Sequence, residues 1–114
     1  MPIANCIVAH DSLSSSSSKG ASSLVELWAN ESGKLSEHMT VNVVASYKQF
    51  GNKYPVMATL LLPSVWSDSD ISLLQTGLAK ALSRYFDVTL NEVHVVTDII
   101  HSGMVVEEGK EVQW

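Results

Sequence analysis

The pattern of apolar positions changes period along the chain. Ile3-Ala4-Asn5-Cys6-Ile7-Val8-Ala9 is a short run, mostly apolar on both faces, which predicts a strand with cover on both sides. His10-Asp11-Ser12 closes it. Ser14 to Ser18, five serines in a row, predict a loop that ends by capping a helix. The spacing then becomes helical. Ala21, Leu24, Val25 and Trp28 share one face of a helix from about Lys19 to Ser32, which Gly33 ends. Met39 to Tyr47 is rich in β-branched residues (Thr40, Val41, Val43, Val44) and predicts a second strand. Gly51-Asn52 is a turn signal, Pro55 to Leu62 a third strand, and Pro63 its end. Ser67-Asp68-Ser69-Asp70 has the form of a capping box. Ile71, Leu74, Leu78, Ala81, Leu82 and Tyr85 follow it at spacings of three and four, and this helix runs to near Phe86-Asp87. Glu92 to Ile100 predicts the fourth strand. Met104 to Trp114 reads as a hairpin around Glu108-Gly109, marginal in water by itself and so expected to pair with something.

The order strand, helix, strand therefore occurs twice. Val41-Asn42-Val43-Val44 lines up with Val93-His94-Val95-Val96 at an offset of 52, Gly51 and Gly103 keep that offset, and Pro2 and Pro55 open the first strand of each half. The expected fold is α+β. Two β-α-β repeats, about residues 2–53 and 55–103, make one four-stranded mixed sheet with two helices on one face, followed by the hairpin 104–114, all in a single domain. The other sheet face is left uncovered, and a closed ring of identical chains would bury it.

Composition narrows the partners. The 114 residues carry a net charge of −5, which argues against nucleic acid, whose phosphates need a basic surface. Six lysines accompany a single arginine, Arg84, so a ligand with several carboxylates would be poorly held. A single cysteine, Cys6, excludes an internal disulfide and any Cys-rich zinc site. No apolar run approaches the roughly 20 residues of a membrane helix, and the first run has no basic segment before it, so no membrane partner and a cytoplasmic location are expected. The four histidines, His10, His38, His94 and His101, show no metal-ligand spacing, and no cofactor motif appears. No Gly-x-Ser-x-Gly surrounds any serine. Trp28, Trp66 and Trp114 read as core or interface residues, and Lys34 taken alone as a solvated lysine at a helix C-terminus.

Chemistry enters at Met1-Pro2-Ile3. Proline is small enough for a preceding initiator methionine to be trimmed. The exposed ring nitrogen could then take up and release a proton, and burial would bring its pKa toward neutrality, where it works as a general acid and base.

With Pro2, the motifs Gly33-Lys34, His38-Met39-Thr40-Val41-Asn42-Val43-Val44, Phe50-Gly51 and Val93-His94-Val95-Val96 give a chain that resembles the tautomerase superfamily. It is similar to macrophage migration inhibitory factors and, half by half, to 4-oxalocrotonate tautomerases. The resemblance implies a homotrimer with a pocket at each subunit interface. It also implies keto–enol tautomerisation of a small α-keto or enol acid by the proline amine. Lys34 matches a lysine that holds the substrate carboxylate. His38 and His94 stand where pocket tyrosines occur, and Val106 matches an apolar wall residue. The alternatives on the same scaffold are a non-catalytic trimer that binds a small molecule or a protein, and a related decarboxylase or hydratase.

Overall fold

The computed structural model describes residues 1–16 and 23–114. Strands β1 (Ile3–Ala9), β2 (Thr40–Ser46), β3 (Val56–Pro63) and β4 (Val93–Ile100) form one sheet in the order β2-β1-β3-β4. β1 pairs in parallel with β2 and antiparallel with β3, and β3 pairs in parallel with β4. The sheet is therefore mixed, as expected. Ala4 faces Val41 and Val56 faces Val93, in both cases 37 residues on (41−4, 93−56). At an offset of 52 the two parallel ladders thus share one register and one buried face. Pro2 and Pro55, 53 apart, fall one residue out of that register, and in a strand one residue is the difference between the two faces.

Helices α1 (His10–Ser16), α2 (Leu24–Ser32) and α3 (Asp68–Phe86) complete the layer, where two helices were expected. The segment read as a strand end and serine loop carries α1. Its one apolar residue, Leu13, packs against the core, and one apolar position leaves no helical period to read. The expected first turn of the second helix, including Ala21, lies outside the described residues. The part described starts at Leu24, where the Ser23 hydroxyl accepts a hydrogen bond from the Glu26 N–H at 3.1 Å. The hairpin forms as β5 (Val105–Glu107) and β6 (Lys110–Val112), with Glu108 and Gly109 at positive φ. It is tied to the body of the same chain, since the Trp114 indole donates to Ser64 Oγ at 2.9 Å and the Trp114 N–H to Ser102 Oγ at 2.8 Å.

The core lies between sheet and helices. Ala4, Cys6 and Val8 of β1 and Val56, Ala58, Leu60 and Leu62 of β3 meet Leu74, Leu78, Ala81, Leu82 and Phe86 of α3. Trp28 of α2 is fully buried among them and donates its indole N–H to the Leu74 carbonyl at 2.9 Å. That bond lets a large amphipathic ring be buried without an orphaned donor. β1 alternates rather than being covered on both sides: Ile7 on its far face is 48% exposed, with Val44 beside it on β2 at 58%. In the middle of that open face the Asn42 amide donates to the Asn5 side chain at 2.8 Å.

α2 and α3 cross where α3 has a glycine. A Cβ on Gly77 would sit 2.8 Å from the Ser32 backbone nitrogen and 2.9 Å from its Cα. Alanine gains about 1 kcal/mol of helix propensity, while forcing two backbones apart costs about 1–3 kcal/mol. Gly77→Ala should therefore destabilise the protein by up to about 2 kcal/mol, read as a lower denaturant midpoint.

Candidate active site at the start of the first strand

β1 is an inner strand, and its pairing extends to the residue before it: the Thr40 N–H donates to the Pro2 carbonyl at 3.0 Å. Pro2 is thereby drawn into the structure and buried. α2 ends on Gly33, which takes the left-handed conformation at φ 71° and returns its N–H to the Ala29 carbonyl at 2.9 Å. This cap turns the chain so that Lys34 comes alongside the start of β1. A short 3₁₀ turn, Ser36–His38, then leads into β2.

These segments enclose a cavity of about 320 Å³ lined by Met1, Pro2, Gly33, Lys34, Leu35, His38, Met39 and Trp66. Three of the site residues expected from the sequence, Pro2, Lys34 and His38, thus share one wall. The wall is otherwise mostly apolar: Met39 is buried, and Leu35 stands at the lip, 82% exposed. An adjoining cavity of about 300 Å³ shares Met1 and His38 and is lined further by Pro63, Val105, Glu107, Val112 and Trp114. Val106 lines neither, and its side chain is 65% exposed while Val105 and Glu107 on either side of it take part.

His94 is placed elsewhere. It faces Met57, which faces Ile7, at the far end of the sheet from Pro2. Ile3 to Ile7 alone spans about 13 Å of strand. The His94 ring lies 4.6 Å from that of Tyr54, and among the described residues its Nδ1 is buried without a hydrogen-bond partner. Tyr54 lines a larger opening of about 640 Å³, between Ala9–Asp11 and Ser46–Pro55, where Tyr47 and Phe50 are almost wholly exposed. One chain by itself therefore does not bring His94 to Pro2.

Two residues at the site were missed by sequence reasoning. Asp70, in the first turn of α3, forms a salt bridge with Lys34. The Ser67–Asp70 signal was read only as a helix start, and that half does form: Ser67 Oγ accepts from the Asp70 N–H at 3.2 Å. The Asp70 carboxylate reaches across to Lys34 Nζ. Trp66, read as a core or interface residue, lines the cavity with its ring centre 5.7 Å from Nζ, a cation–π distance. No local signal marks either contact, because each joins residues more than 30 positions apart.

The electrostatics follow from these contacts. Hydrogen bonding by Lys34, with a further contribution from Ser67, holds the Asp70 carboxyl below its ordinary value. Burial lowers the pKa of the Met1 amine, and the Glu107 charge opposes that shift. Burial pushes the Cys6 thiol up to about 11. Among the described residues, no three or more His, Cys, Asp or Glu side chains converge as a metal site would require.

The sheet order, with the helices on one face, is also that of several solved structures. The R7 fused 4-OT wild-type asymmetric trimer superposes with a TM-score of 0.72 at 14% identity, covering 96% of this chain and 94% of that one. N1, a member of the cis-3-chloroacrylic acid dehalogenase family, gives 0.72 at 9% identity over 96% and 82%. The macrophage migration inhibitory factor from Trichinella spiralis gives 0.65 at 17% identity over 96% and 97%. No family model and no curated sequence matches the chain. The similarity is one of fold.

The depressed carboxyl predicts a pH signature. A group whose pKa is lower in the folded state stabilises the fold above its unfolded value and loses that contribution as pH falls. Asp70→Asn should therefore be less stable than wild type at neutral pH. The gap should close as pH falls below the ordinary carboxyl value of 3.8, followed by denaturant midpoints across pH.

Proposed function

We propose that the protein is a tautomerase-type enzyme in which Pro2, freed of Met1, serves as general acid and base in keto–enol tautomerisation of a small α-keto or enol acid. The ring nitrogen takes a proton from the carbon next to the carbonyl, and a proton is returned at oxygen, or the reverse. The observation that carries this reading is the burial of Pro2 in the wall of a mostly apolar cavity large enough for a small molecule. The Met1 amine, one residue further out, is already harder to protonate than an ordinary terminus. An amine on the more deeply buried Pro2 would be desolvated further, and each unit of pKa represents about 1.4 kcal/mol.

Lys34, held by Asp70, is the lysine of the cavity wall, and His38 stands at the rim between the two adjoining cavities. A homotrimer supports the rest of the reading. The similar fused 4-OT structures include an asymmetric and a symmetric trimer. In such an assembly the open sheet face would be covered, and His94 and Val106 could reach a site from a neighbouring subunit. The duplicated β-α-β organisation belongs to the same proposal.

Two measurements test it. The intact mass of untagged protein should lack methionine, leaving Pro2 as a free amine. Pro2→Ala should then lower kcat/KM for an enolisable α-keto compound by about 10²–10⁴ while leaving the fold and assembly unchanged. A retained Met1 in protein from its native host would sink the mechanism and leave the non-catalytic binding trimer.

A further inference from the structure

Lys34 does not stand in the cavity as a free cation. It is bound by Asp70, from the first turn of α3, and its ammonium lies over the Trp66 ring. Both side chains of the pair are mostly covered, 21% exposed for Lys34 and 31% for Asp70. The remaining charges nearby are no more favourable to an anion. The acid nearest to His38 is Glu37, at 3.9 Å, and Glu107 lines the adjoining cavity beside Met1. The rest of the cavity wall is Met1, Pro2, Gly33, Leu35, Met39 and Trp66, and the Met1 amine is made harder to protonate by burial. The whole chain, at −5, adds no attraction.

A carboxylate entering this space has two poor choices. It can compete with Asp70 for Lys34, or it can give up its water against a mostly apolar wall that holds no other lysine and no arginine. An uncharged carbonyl meets neither difficulty. The Lys34 ammonium has three donors, and engaging Asp70 leaves others for a carbonyl oxygen. We infer that Asp70 is a specificity-determining residue. By holding Lys34, it directs the Pro2 cavity toward small, apolar, uncharged carbonyl compounds, such as keto esters and ketones, over the matching carboxylates. This moves the preferred substrate of the proposed reaction from the α-keto acid to its uncharged counterpart, and it rests on the Pro2 cavity being the reacting site.

The experiment compares phenylpyruvate with its methyl ester, as a matched pair differing in one charge, by titration against the assembled protein. Wild type should bind the ester about fivefold to tenfold more tightly than the acid. Asp70→Asn, which keeps the side-chain shape and frees Lys34, should tighten acid binding by a similar factor and leave the ester within about twofold. The double variant Lys34→Gln with Asp70→Asn removes both charges, so its acid affinity should return close to that of wild type. Equal wild-type affinities for acid and ester would overturn the inference. So would an acid affinity that Asp70→Asn does not change, or one that the double variant loses altogether. The last result would mean that Lys34 already holds the acid in the native protein. Should Asp70→Asn fail to fold, the double variant and the wild-type pair still decide. Pro2→Ala should keep the ester preference even where turnover is lost, which separates this inference from the proline mechanism.

Discussion

The pairing of β1 on both of its edges is the constraint on which the rest depends. β2 holds one edge in parallel and β3 the other antiparallel, and the ladder reaches back to the Pro2 carbonyl through Thr40. A chain terminus usually frays, since it lacks partners on one side. Here the second residue is buried, and its carbonyl is tied to β2. The cavity forms around it because α2, its glycine cap and the turn into β2 must all close onto the start of the same strand. Helix packing supports this from behind: Trp28 fills the space between α2 and α3, and Gly77 allows them to approach.

Much of this architecture was legible in the sequence, and for a simple reason. Each element carries its own local signal: β-branched residues in β2, a turn and prolines bounding β3, spacings of three and four in α3, and Glu108-Gly109 in the hairpin. Ser67, Gly33 and Glu108-Gly109 sit at ends the structure also shows. What could not be read was of two kinds. α1 is too short to show a period. The contacts Lys34–Asp70 and Lys34–Trp66 join distant segments, and no spacing rule reaches across a fold. His94 illustrates a third limit. The resemblance alone suggested a place for it in a pocket, and within one chain it lies at the other end of the sheet from Pro2.

The Lys34–Asp70 pair also shows why a shared scaffold leaves chemistry open. Superposition on fused 4-OT, a dehalogenase-family member and migration inhibitory factors describes one backbone path. The charge that a ligand meets is set by a few side chains laid over that path. One aspartate in the first turn of a helix, where the helix dipole already favours an acid, is enough to change it. The local preference of α3 for an acid at its start and the electrical character of the cavity are thus settled by the same residue.

Cys6 has a consequence of a different kind. It is the chain's single thiol, 1% exposed at the centre of β1, with Val43 on one side and Ala58 on the other, and its pKa of about 11 keeps it protonated at neutral pH. A thiol-specific reagent can reach it only when the helices lift away from the sheet. The protein therefore carries a built-in clock for its own opening. Modification of one atom, followed by mass, counts the separations of the helix layer from the sheet, with no label added and no other sulfhydryl to confuse the reading.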